Sequence, residues 1–117
     1  MKHIIVNNLK SNVPPKHKKV YAKEIWGKES RTKNCAVVYN EMEKTGGAEM
    51  HTHVNSEHIY YVIEGEMSIT DGNETYIIKK GEAAVVEPGE PHEAKGTGRE
   101  DCRYLIVISP PVTITDK

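Results

Sequence analysis

Apolar and polar residues along this chain alternate in short runs separated by turn-forming residues, and no stretch carries the three-to-four spacing of an amphipathic helix. The opening HIIV, residues 3–6, predicts a short strand, followed by a polar loop through Val13, Pro14 and Pro15. KVYAKEIWG, residues 19–27, predicts a second strand or an edge extension, with the single Trp26 as a core or interface anchor. NCAVVYNEME, residues 34–43, is β-branched and aromatic without helical spacing and predicts a third. HIYYVIEG, EMSIT, ETYIIKK, AAVV and CRYLIVI continue the series, with Asp71-Gly72 as a two-residue turn and Ser109-Pro110-Pro111 as the stop. Strands at this regular spacing predict an all-β sandwich or barrel, without internal repeats.

The run HIYYVI is apolar on both of its faces, His58, Tyr60 and Val62 on one and Ile59, Tyr61 and Ile63 on the other. A strand with one wet face alternates, so this one is expected to be covered on both sides. If the His58 face lines a barrel interior, another sheet or another subunit covers the rest, and a homodimer is the expectation.

At 117 residues the chain is expected to form a single domain over its whole length. Lys and Arg number 16 against 17 Asp and Glu, a balance without the electrostatic footprint of a nucleic-acid binder. The one basic cluster, KHKK at 16–19, reads as a solvated stretch. No apolar run is long enough to span a bilayer and no leader-like segment follows Met1, so a cytoplasmic protein without membrane partners is expected. Cys35 and Cys102 lack metal or redox spacing and read as ordinary small residues, although strands could bring them side by side.

Chemistry concentrates between Gly46 and Gly65, GGAEMHTHVNSEHIYYVIEG. On an extended strand His51 and His53 point the same way, which makes a bidentate half-site for a transition metal. A hairpin through VNSE could return His58 to that pair. His92, which follows the tight turn at Pro88 and Gly89, could point back into the barrel.

These residues bring a family resemblance. The chain resembles the small single-domain cupins, double-stranded β-helix or jelly-roll barrels, over about residues 45–108, with a strand before and a tail after. His51, His53 and Gly65 carry the first cupin motif, and Gly81, Pro88, Gly89 and His92 the second. The position that usually holds a glutamate ligand holds His58, with Glu57 just before it, which is similar to the four-histidine subset of that family. The second motif is shifted slightly within its turn, and Gly96 stands where the family has a terminal Asn. The resemblance implies one divalent transition metal, Mn, Fe, Ni, Cu or Zn, on His51, His53, His58 and His92. Strand alternation sets Glu57 and His58 on opposite faces, so only one can ligate, and His58 is expected.

Around this cage, Tyr60 shares a face with His58 and could donate a hydrogen bond to a bound anion, or simply fill the core. Glu49 shares parity with His51 and His53 and could orient an imidazole or lie on the rim. Tyr104 and Arg99 are weaker candidates, and His3 and His17 read as surface residues. The function expected is a metalloenzyme acting on a small oxygenated organic molecule, dioxygenase-like. An isomerase or lyase on a sugar or keto acid, or a non-catalytic ligand- or metal-binding module, are the alternatives.

Overall fold

The computed structural model describes residues 1–27 and 34–111. Nine strands follow in order: β1 (His17–Trp26), β2 (Ala36–Ala48), β3 (His51–Thr52), β4 (Glu57–Glu64), β5 (Glu66–Thr70), β6 (Thr75–Lys79), β7 (Ala83–Val86), β8 (Pro91–Lys95) and β9 (Cys102–Ser109). They join in one sheet ordered β6-β5-β8-β2-β9-β4-β7, with β1 added to β2 and β3 to β8. The sheet curls into a barrel left unpaired between its two end strands, β6 and β7. This is the expected all-β jelly roll.

Long β2 makes the corner. Its first half, Ala36 to Met42, pairs antiparallel with β9, and its far end reaches β8 through Gly47 opposite Lys95. Two glycines permit this crossing. A Cβ on Gly46 would stand 2.6 Å from the Lys19 carbonyl oxygen, and one on Gly47 would stand 2.9 Å from that of Ala94.

Inward residues of β1, β2, β4, β5 and β9 fill the barrel. Val20, Met42, Tyr60, Val62, Met67, Ile69, Cys102 and Tyr104 form its buried core. Truncating the fully buried Met67 to alanine should cost on the order of 2–5 kcal/mol, through lost burial and a residual cavity.

Several expectations change. Residues 3–6 pair with no strand among the described residues. The chain there turns through one 3-10 turn at Val6–Asn8, where Asn8 N–H donates to Ile5 O at 3.0 Å. Asparagine side chains can bond nearby backbone groups, and Asn7 and Asn8 follow directly on this short apolar run, which disfavours a ladder there. The β5–β6 turn centres on Gly72 and Asn73, one residue later than expected, because the Asp71 carboxylate accepts the N–H groups of Asn73 and Glu74, both at 2.8 Å. Asp71 therefore braces the turn from outside. The cysteines are free thiols at opposite ends of the β2–β9 ladder, since Cys102 pairs with Met42 while Cys35 precedes Ala36, the partner of Ile108.

The outer face of β4 is not covered within the chain. Ile59 is 36% and Tyr61 45% exposed, while His58, Tyr60 and Val62 are buried as expected. Among the described residues, no helix is long and apolar enough to cross a membrane.

Candidate metal centre

Strand pairing assembles the histidines. His51 on β3 lies directly opposite His92 on β8, with ring centroids 4.3 Å apart. His53, two residues on, faces the same way, 4.7 Å from His51 and 5.4 Å from His92. The Pro88-Gly89 turn is tied to this segment, for Gly89 N–H donates to His53 O at 2.9 Å. Gly89 holds φ +86, a left-handed conformation that glycine adopts without strain. The two histidine-bearing stretches, nearly 40 positions apart in sequence, are thus one hydrogen-bonded unit.

His51, His53 and His92 each offer a nitrogen, and these lie within 4.8 Å of one another. Metal–imidazole bonds of about 2.1 Å put cis ligand nitrogens roughly 3 Å apart, so small side-chain adjustments would close the group on an ion. His51 Nδ1 is 2.6 Å from Glu49 O, and His92 Nδ1 is 3.2 Å from Glu90 O. A carbonyl only accepts, so Nδ1 carries the proton in both rings and the Nε2 lone pair is left for another partner. In His92 that Nε2 is buried and has no hydrogen-bond partner. Leaving such an acceptor unsatisfied costs about 1–3 kcal/mol, which a bound cation would recover. Burial, more than the adjacent His51, also lowers the His92 pKa and so favours the neutral, metal-binding form. These residues fit a transition metal.

His58 enters from β4. Its ring stacks on His53 at 4.2 Å and 15°, and lies 5.5 Å from His92. It reaches His53 without a hairpin, because β3 pairs with β8 whereas β4 pairs with β7 and β9. Curling of the barrel brings the two together. His58 stands beside the three-nitrogen group rather than within it.

Other candidates are sorted by burial. Glu57 is exposed, as alternation requires. The Glu49 carboxylate is exposed too, so its backbone oxygen rather than its side chain orients His51. Tyr60 is buried with its ring 6.3 Å from both His58 and His92, and desolvation pushes its phenol pKa far up, so it keeps its proton. Tyr104 stacks behind it at 6.2 Å. Arg99 belongs to the other end of the barrel, paired with Glu66. His3 is exposed, but His17 is half-buried with its ring 6.3 Å from His51. The sequence holds no signal for that neighbour, which follows from the pairing of His17 with Ala48.

A slot of about 610 Å³ opens between the unpaired edges of β6 and β7 and reaches down to His92.

Comparison with known proteins agrees with this architecture. The chain is 34% identical over 67 residues to an uncharacterized protein of Methanocaldococcus jannaschii, a match covering 57% of this chain and 54% of that one. It therefore spans about half the length of that relative. The polyketide cyclase RemF from Streptomyces resistomycificus superposes with a TM-score of 0.82 at 24% identity, covering 97% of this chain and 87% of that one. A predicted oxalate decarboxylase from Thermotoga maritima gives 0.81 at 19% identity, covering 93% and 99%. KdgF from Halomonas sp. gives 0.80 at 19% identity, covering 95% and 96%. At these identities the solved structures share the fold alone. The Cupin domain profile matches residues 38–108, more than half the chain and the stretch that holds all four clustered histidines, so the protein belongs to the cupin family.

Proposed function

We propose that the protein holds one divalent transition metal on His51, His53 and His92, with His58 as the fourth ligand, and is an enzyme acting on a small oxygenated organic molecule. The observation that carries this reading is the buried, unpartnered Nε2 of His92 in a group whose nitrogens lie within 4.8 Å of one another. Imidazole donors suit iron, nickel, copper and zinc, and manganese where it is the available ion. When bound, such an ion supplies Lewis-acid polarisation of a substrate oxygen or, if redox-active, chemistry with dioxygen.

The surrounding residues favour dioxygenase-like cleavage. Isomerisation or elimination on a sugar or keto acid needs a group that takes a proton from carbon. Glu49 and Glu57 are exposed, and Tyr60 holds its proton and acts only as a donor. Among the described residues the buried carboxylate is Glu66, committed to Arg99 at the far end of the barrel. One observation favours the isomerase or lyase reading: His58, standing outside the three-nitrogen group, could serve as an imidazole base. Oxygen uptake across a substrate panel separates the two. Turnover with uptake supports the dioxygenase, and turnover without it transfers the proposal to isomerase or lyase chemistry. A coordinatively closed ion without an exchangeable water would make the protein a binding module.

We also propose a homodimer. Two apolar rows cross the outer wall of the barrel, Val85-Ile59-Val107-Val37 and Ala83-Tyr61-Leu105-Tyr39. They carry no charge, and a second copy supplies a flat apolar face to match. Light scattering should give twice the 13.2 kDa chain mass, and Tyr61→Glu should halve it; a 13.2 kDa particle for the unaltered protein would overturn the dimer.

A further inference from the structure

We infer that the turn over residues 14–17, ahead of β1, is a positioning device for His51: it fixes Glu49, and through the Glu49 carbonyl it aims the His51 ring. This rests on the metal reading above for what the ring is aimed at.

His51 is the ligand most in need of a brace. It is half-buried on the two-residue β3, whereas His53 and His92 are buried. Only Glu49 and Met50, both exposed, separate it from the end of β2. Packing therefore holds this stretch weakly, and its hydrogen bonds decide where the ring points. The Glu49 carbonyl accepts from His51 Nδ1–H at 2.6 Å, while the Glu49 N–H donates to Lys16 O at 3.1 Å. A single residue thus couples the ring to the turn.

His92 shows the same arrangement with a local anchor. Its Nδ1–H meets Glu90 O at 3.2 Å, and the Glu90 N–H donates to Glu87 O at 3.1 Å within the turn between β7 and β8. Each ring is held by the carbonyl two residues before it, on a glutamate whose own N–H is tied down. For His51 the tie comes from the far side of β1 and β2, so the two ligands can be disturbed separately.

The turn is built to keep one shape. His17 N–H donates to Pro14 O at 3.2 Å, Pro15 presets the second position, and Lys16 at the third has φ 61. This is the pattern of a type II turn, whose third position ordinarily belongs to glycine. His17 Nδ1–H clamps Pro15 O at 2.7 Å. A lysine stays in the left-handed region only where its surroundings over-determine it, and the clamp and the Glu49 bond do so here. That conformation sets the direction of the Lys16 carbonyl, and with it the place of Glu49. The exposed Lys16 ammonium takes no part.

Three substitutions at Lys16 separate backbone from charge. Valine is β-branched and resists a left-handed φ, glycine adopts it freely, and alanine removes only the charge. In the full, metal-free chain, well above the ordinary imidazole pKa, long-range proton–nitrogen NMR spectra should show His51 and His92 both protonated on Nδ1. Lys16→Val should move His51 toward the Nε2–H form and leave His92 unchanged. Zinc affinity, by chelator competition, should fall roughly ten- to a hundredfold in Lys16→Val, the usual loss when a group behind a ligand is removed. Lys16→Gly and Lys16→Ala should stay within about twofold of the unaltered chain, because both keep the turn. Pro15→Ala loosens the turn without forbidding it and should shift His51 part of the way, which keeps the relay testable if Lys16→Val does not fold. A loss of zinc affinity in Lys16→Ala equal to that in Lys16→Val would assign the effect to the ammonium and overturn the inference. So would a His51 ring indifferent to both Lys16→Val and Pro15→Ala. A shifted His51 ring in a chain that binds no zinc would leave the relay standing and remove the metal reading. Zinc held equally by every variant would remove the relay alone.

Discussion

At one end of the barrel Glu66 is buried and partnered by Arg99, and at the other His92 is more deeply buried with its inner nitrogen left open. Arg99 grips the Glu66 carboxylate through Nη2 at 2.7 Å and Nε at 2.8 Å. Thr97 and then Arg99 hold its pKa below the usual carboxylate range. The backbone packs tightly there, for a Cβ on Gly65 would stand 2.0 Å from Asp101 O. The histidine end is looser: a Cβ on Gly89 would meet nothing within 4 Å, and the slot opens beside it. Burial of a polar group therefore marks both ends, and only the state of its partners tells a structural end from a functional one.

The contrast breaks most visibly at the metal. His92→Ala should lower metal affinity by about a hundredfold or more, since it removes a ligand rather than a group behind one. Titration with a chelator checks this, and Arg99→Ala should leave the affinity unchanged. Stability should show the opposite ranking. Gly65→Ala, which meets both positive φ and a backbone clash, should cost about 3 kcal/mol or more, against about 1 kcal/mol for Gly89→Ala, by urea denaturation.

Acid sharpens the comparison next. His92 has a folded pKa below its ordinary 6.5, so the unfolded chain binds more protons between the two values. Its contribution is fully present above pH 6.5 and lost as pH falls through the depressed value. The metal-free protein should therefore lose stability on acidification below about pH 6.5, and His92→Gln should flatten that part of the profile. Smallest of all, Arg99→Ala should cost about 1 kcal/mol or less by the same denaturation, because the Arg99 side chain is 65% exposed and its ion pair is screened.

Much of this was legible in the residues. Period-two alternation in HIYYVI groups His58, Tyr60 and Val62 on one face, the face the structure buries, although both faces are apolar and the pattern alone does not say which points inward, and turn residues around Gly89 place His92. What escaped depends on pairing between distant segments. Glu49 matters through its carbonyl, which side-chain parity does not reveal. His17 reaches His51 through a register set along β2. The slot exists because β6 and β7 are the unpaired ends of the sheet, a property of strand order that no local pattern encodes.

The most direct test is metal content by elemental analysis of protein prepared without a nickel column, for the unaltered chain, His58→Ala and His92→Ala. The account predicts close to one transition-metal ion per chain, lost in His92→Ala and reduced in His58→Ala. A folded, unaltered chain that binds no transition metal in any preparation would contradict it.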